Sequence, residues 1–143
     1  MSNELTNYEK IIQKFKQLKQ DASSDCIFEL NELDNSFNNT NLLVKWITRK
    51  TDWSSAYRTL EVQRKKQYRD LYEFYCTDYP RKLSSKEEYA LFIESDENYN
   101  SIFQQCLLVK EIIQFCDSTI ETLKARGFMI KNAIDWLRFK SGQ

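Results

Sequence analysis

Apolar residues recur along most of the chain at the three-to-four spacing that lines one face of a helix. Over residues 5–18, Leu5, Tyr8, Ile11, Ile12, Phe15 and Leu18 share a face with lysines between them, which predicts an amphipathic helix. Ile27, Leu30, Leu33 and Phe37 repeat the pattern in a second, shorter helix. The run Asn38-Asn39-Thr40-Asn41 reads as a break whose last members cap the next helix. Leu43, Trp46 and Ile47 mark that helix, with Thr51 or Asp52 as a new cap or a tolerated interruption.

Farther on, Trp53, Ala56, Tyr57, Leu60, Tyr68, Leu71, Phe74 and Tyr75 fall in a sector of about 120° on a helical wheel, the side on which a helix packs. Arg64 and Gln67 interrupt this sector. Residues 77–83, with Pro80 and the pair Arg81-Lys82, form the clearest loop. Ser84 with Glu87, or Ser85 with Glu88, fits a capping box opening a short helix through Tyr89, Phe92 and Ile93. Ser95 and Asp96 supply a further cap.

Tyr99, Ile102, Phe103, Cys106, Val109, Ile113, Cys116, Ile120 and Leu123 then hold one face through a helix of about 27 residues, near 40 Å. A globule of 143 residues has a radius of gyration near only 15 Å, so this helix crosses an elongated bundle or enters an intermolecular one. Gly127, preceded by Lys124-Ala125-Arg126, fits the end of that helix. Beyond it, Phe128, Ile130, Ala133, Ile134 and Leu137 predict a final short helix whose outward-facing Trp136 and Phe139 favour self-association.

Composition supports an all-α fold. Only two glycines and one proline occur, too few for the tight turns of a sheet protein. An apolar fraction of 41%, with 14% aromatics, excludes a disordered linker. No leader-like start and no membrane-length apolar run is present, so the expected location is the cytosol. The four cysteines form no CxxC pair and there is no histidine, which leaves no ordinary zinc site and reads the thiols as small hydrophobes. The missing histidine and the absence of a glycine-rich phosphate loop also weigh against an enzyme, and no cofactor or metal is expected. Glu87-Glu88 and Asp96-Glu97 read as exposed first-turn residues favoured by the helix dipole.

Charge is balanced overall at 21 basic and 21 acidic residues but is divided into blocks. Residues 1–44 carry −3, 45–72 carry +5, 73–123 carry −6 and 124–143 carry +4. Such blocks bind a polyanion, pair with neighbouring copies, or do both. Within the first basic block, Arg58, Lys65 and Arg69 lie within about 40° of one another, with Lys66 flanking them. The row matches a phosphate backbone and equally matches a plain solvated face. Tyr72 lies nearest the basic edge and is the best candidate to stack on an unpaired base; Trp53, Tyr57, Tyr68 and Tyr75 sit in the packing sector. Arg64 points into the apolar sector, where it snorkels or pairs with an acid of another helix or subunit. Lys124, Arg126, Lys131, Arg138 and Lys140 form a second basic group that suits DNA or a neighbouring subunit.

The run Phe115-Cys116-x6-Leu123-Lys124-x-Arg126-Gly127-Phe128-x-Ile130-Lys131, followed by Arg138 and Gly142, resembles the UvsY family of phage recombination mediators. Lys45-Trp46 and Glu61-x-Gln63-Arg64-Lys65 extend the likeness, which covers roughly residues 42–143. The resemblance implies a small helical, non-enzymatic protein that assembles into a ring of six or seven subunits. It implies sequence-independent binding of single-stranded DNA, contacts with a UvsX-type recombinase and the phage single-stranded-DNA-binding protein, and work in recombination, repair and recombination-dependent replication in the cytoplasm of an infected bacterium. Residues 1–79 then form an N-terminal helical region carrying the DNA-binding helix, with Arg64, Lys65 and Arg69 at family contact positions and Arg58, Lys66 and Tyr72 beside them. Residues 84–143 form the oligomerisation region, with Ile102, Phe103, Cys106, Ile113, Ile120, Leu123, Phe128, Ile130, Ile134 and Leu137 as its contacts. Thr59 and Leu71 stand where the family has basic residues. Apart from the resemblance, a helical assembly scaffold or a partner-binding regulator explains the same apolar faces.

Overall fold

Four helices account for most of the chain in a computed structural model that describes residues 5–27 and 35–142. They are α1 (Asn7–Asp25), α2 (Asn35–Thr77), α3 (Lys86–Glu94) and α4 (Glu97–Lys140), and no strand occurs among the described residues. The expected all-α class is therefore what the chain adopts. The separate helix expected at 27–37 falls mostly outside the described residues.

Local chemistry explains most helix starts. Thr6 and Glu9 cap α1 reciprocally: the Thr6 N–H donates to Glu9 Oε2 at 2.8 Å, and the Glu9 N–H donates to Thr6 Oγ1 at 3.2 Å. Ser85 caps α3 by accepting the Glu88 N–H at 3.2 Å. The Glu88 carboxylate turns instead to Ser84, accepting its N–H and hydroxyl at 2.8 and 2.7 Å. Together with Arg81, these bonds hold the Glu88 carboxyl down at about 2. Asp96 accepts the Tyr99 N–H at 3.0 Å where α4 begins.

Two expected breaks, at Asn38–Asn41 and Gly127, are absent, and Thr51-Asp52 is the tolerated interruption rather than a new cap. Helix α2 already includes Asn38–Asn41 and runs through Thr51 and Asp52, whose polar side chains lie exposed on the helix. Thr48, Thr51 and Thr59 return their hydroxyls to the carbonyl four residues back, so these residues are accommodated without a break. Helix α4 likewise passes through Gly127, making one helix of 44 residues in place of a long and a short one. The glycine itself answers to Asn39. Its side-chain amide donates to the Leu123 carbonyl at 3.1 Å, and a Cβ at position 127 would stand 3.1 Å from that same nitrogen. Gly127 permits this close approach and does not end the helix.

The chain divides into two compact units, each drawing on both long helices. One contains residues 1–12 and 54–110, the other 13–53 and 111–143, so the units cut across the regions 1–79 and 84–143. In the first unit, Leu83, Ile93, Tyr99, Cys106 and Val109 are buried. Tyr75, Tyr79 and Phe92 form an aromatic cluster with centroids 5.1–5.9 Å apart, Tyr75 meeting both of the others edge-to-face. In the second, Trp46 is fully buried, its ring 6.3 Å from Phe115, which in turn meets Phe15 at 5.6 Å. The Trp46 indole N–H donates to Asp25 at 2.9 Å, so its one polar atom is satisfied.

Candidate nucleic-acid interface

The segment 58–72 of α2 belongs to the first unit. Its apolar positions Leu60, Tyr68 and Leu71 are partly covered, which turns the opposite face to solvent. On that face Arg58, Lys65, Lys66 and Arg69 are all exposed. Arg58, Lys65 and Lys66 make no ion pair with any described residue, and Arg69 has only its neighbour Asp70 at 3.5 Å. From Arg58 to Arg69 the row extends about 16 Å along the helix. Four solvated cations in that arrangement attract a polyanion and release its counterions.

Arg64 behaves differently. It forms a two-pronged pair with Glu61, Nε and Nη2 each donating at 3.0 and 2.9 Å, and Nη1 donates to the Tyr99 hydroxyl at 2.9 Å. Its partner acid lies one turn back on the same helix, whereas the expectation was snorkelling at an edge or an acid of another helix or subunit. These bonds hold the Arg64 guanidinium firmly protonated and depress the Glu61 carboxyl, chiefly through the Arg64 hydrogen bond. Because Tyr99 packs edge-to-face on Tyr68 at 5.8 Å, Arg64 fixes the packed side of α2 and so orients the open side.

Tyr72 is 45% exposed and lies against Tyr89 of α3, ring centroids 5.0 Å apart. From the sequence Tyr89 reads only as part of the short helix's apolar pattern, because it lies on a different helix from Tyr72; only the contact across the Pro80 loop brings the two rings together. That loop was expected, and residues 78–85 do connect α2 to α3.

The assembly residues divide sharply by burial. Cys106, Ile120, Leu123 and Ile130 are buried within the chain itself, and Ile102, Ile113 and Ile134 are partly covered. Phe103, Phe128 and Leu137 are exposed, joined by Trp136 and Phe139, which stack on each other at 5.9 Å. In the second basic group Arg126 is buried, donating to Asn39 Oδ1 and the Ile27 carbonyl at 2.9 Å each. Lys124 pairs with Glu121 at 3.0 Å, while Lys131, Arg138 and Lys140 are exposed. Of the cysteines, Cys106 and Cys116 match the small-hydrophobe reading; Cys26 is half-buried and Cys76 exposed. Burial pushes the Cys106 thiol up to about 11. Among the described residues no group of three or more potential ligands is arranged to hold a metal, and no helix is long and apolar enough to cross a membrane.

Among the described residues the chain is all-α, with an open cationic face on α2. The chain belongs to the UvsY family: residues 8–143 match the family described as recombination, repair and ssDNA binding protein UvsY. The match reaches well before residue 42, where the likeness was expected to begin. The chain is similar to the recombination protein uvsY of Enterobacteria phage T4, at 19% identity over 136 residues, covering 91% of this chain and 99% of that protein. Two crystal structures of the bacteriophage T4 recombination mediator protein UvsY share its fold. One, in lattice type I, superposes with a TM-score of 0.80 at 19% identity, covering 87% of this chain and 98% of the other. The second, in lattice type IV, gives 0.79 at 20% identity, covering 88% and 98%. Membership gives the chain a place among non-catalytic mediators of recombination.

Proposed function

We propose that the chain binds single-stranded DNA without sequence preference through Arg58, Lys65, Lys66 and Arg69 of α2, with Tyr72 stacking on an unpaired base. Arg64, at a family contact position, serves by orienting this face. The observation that carries the reading is that these four cations, all on one side of a helix in a UvsY-family chain, are exposed and nearly free of internal ion pairs. In a ring of six or seven copies the modest grip of one subunit is multiplied into many linked contacts along one strand. The exposed apolar end of α4, with Phe128, Trp136, Leu137 and Phe139, supplies surface for that self-association. A strand bent across such a ring is presented to a UvsX-type recombinase as the single-stranded-DNA-binding protein leaves it. The setting is DNA recombination, repair and recombination-dependent replication inside an infected bacterial cell.

The test is the mass of the protein in solution with and without a short oligothymidylate, combined with titrations against single-stranded and duplex DNA at several salt concentrations. The expected result is a ring-sized species that prefers the single strand, with affinity falling steeply as salt rises. A monomer, or a flat salt response with no preference for the single strand, would overturn the proposal.

A further inference from the structure

A cleft of about 370 Å³ opens between α2 and α3 within the first unit, lined by Tyr68, Tyr72, Ser84, Ser85, Lys86 and Tyr89. Three features distinguish it from an ordinary surface crevice. Its aromatic wall is composite: Tyr72 and Tyr89 lean on each other with a 37° tilt, while Tyr68 is braced from behind by Tyr99. At a centroid separation of 5.0 Å the Tyr72 and Tyr89 rings leave no space for a third ring between them, so a planar guest lies upon them. The lining also carries the hydroxyls of Ser84 and Ser85 and Lys86, an exposed cation with no ion pair to a described residue. The nearby Glu88 carboxylate is already neutralised by Arg81 and bonded to Ser84. Finally, the cleft continues the cationic row: on the helical wheel Tyr72 falls within about 60° of both Lys65 and Arg69, one turn beyond the latter.

From this arrangement we infer that the cleft is a nucleobase-capture site, in which one base of a bound single strand leaves the stack of its neighbours and lies on the Tyr72–Tyr89 surface while Lys86 meets its phosphate. The inference rests on the proposed single-strand binding and deepens it by naming where a base, as distinct from the backbone, is held. Its volume is at the lower end of that of small-molecule sites and suits one base with its sugar. Tyrosine faces and serine hydroxyls accept any base, which agrees with binding that ignores sequence. A duplex, whose bases are already stacked and paired, gains nothing from such a site, so the cleft favours the single strand where a bare cationic row does not.

The experiment compares the full-length protein, wild type and Tyr89→Leu, on two fluorescent oligonucleotides of equal length, one of thymidylate and one with abasic sugars throughout. Wild type is expected to bind the base-bearing strand at least 5-fold more tightly, in line with the stacking of about one base. Tyr89→Leu should lose most of that difference while keeping its abasic affinity and salt response, and Tyr89→Phe should retain the preference. Equal wild-type affinity for the two strands overturns base capture and leaves backbone binding standing; binding of neither strand overturns both readings. Photocrosslinking of the wild type to a 5-iododeoxyuridine strand needs no variant. Adducts at Tyr72 or Tyr89 are expected, and adducts confined to residues outside the cleft overturn the site.

Discussion

Two neighbouring stretches of α2 carry similar numbers of cations and use them in opposite ways. In the second unit, Lys45 meets Asp25 at 2.8 Å, Arg49 meets Asp21 at 2.9 Å, and Lys50 meets Asp117. The Arg49 guanidinium also lies over the Trp46 ring, 4.8 Å from its centroid. In the first unit, Arg58, Lys65, Lys66 and Arg69 face solvent with a single weak contact among them. Charge density along a sequence therefore says little about availability. What matters is whether the acidic partners are supplied by the same fold, as they are for Lys45, Arg49 and Lys50 and are not for Arg58, Lys65 and Lys66.

The comparison predicts that changes in the paired stretch alter stability and those in the open stretch alter binding. The largest effect is expected at Trp46, which is fully buried: Trp46→Ala should lower unfolding free energy by about 3–5 kcal/mol in urea denaturation. Asp25→Ala comes next, because it strands both the Lys45 ammonium and the Trp46 indole N–H, at a cost of about 1–3 kcal/mol in the same assay. Arg64→Lys loses the two-pronged contact with Glu61 and should cost about 1 kcal/mol, with the salt slope of DNA binding unchanged. A reduced slope in Arg64→Gln, which removes the charge, would show that Arg64 contacts phosphate directly.

Acid should act on the same internal pairs. The Asp21 carboxyl is depressed first by its hydrogen bond from Gln17 and then by Arg49, and Glu61 by Arg64. Groups depressed in the folded state stabilise it fully above their ordinary values, 3.8 and 4.5, and lose that contribution as pH falls through the lowered range. The melting temperature should therefore begin to drop below about pH 4.5 by this route, and Glu61→Gln should flatten part of the decline. The smallest effect is expected at exposed Thr59, where a family cation is missing. Thr59→Arg should raise single-strand affinity a few-fold at low salt and change stability by no more than about 0.5 kcal/mol.

Helical class, the Pro80 loop and the caps at Ser85 and Asp96 were legible because they depend on residues close in sequence. The continuity of α2 and α4 was not. Asn38–Asn41 and Gly127 carry local signals for breaks, but Asn39 reaches across 84 residues to the Leu123 carbonyl, and Gly127 admits it. The cationic row was visible from periodicity, whereas the division of its block into committed and open charges required tertiary partners. Arg64 illustrates this: the wheel showed it facing the apolar side, and the structure supplied Glu61 and Tyr99. The same limit hid Tyr89 and Lys86, which only the folded turn at Pro80 brings to Tyr72.

The most direct measurement is the salt dependence of oligothymidylate binding by wild type, by Lys65→Ala/Arg69→Ala and by Lys45→Ala/Lys50→Ala. If the open stretch is the phosphate-binding face, the first double variant reduces the slope of log affinity against log salt by about 1.4 for each subunit the strand engages, the value for two lost single-strand contacts. The second should leave that slope unchanged and register only as lost stability. Equal slopes for wild type and Lys65→Ala/Arg69→Ala, or a reduced slope in Lys45→Ala/Lys50→Ala alone, would contradict the assignment of DNA binding to the open cations of α2.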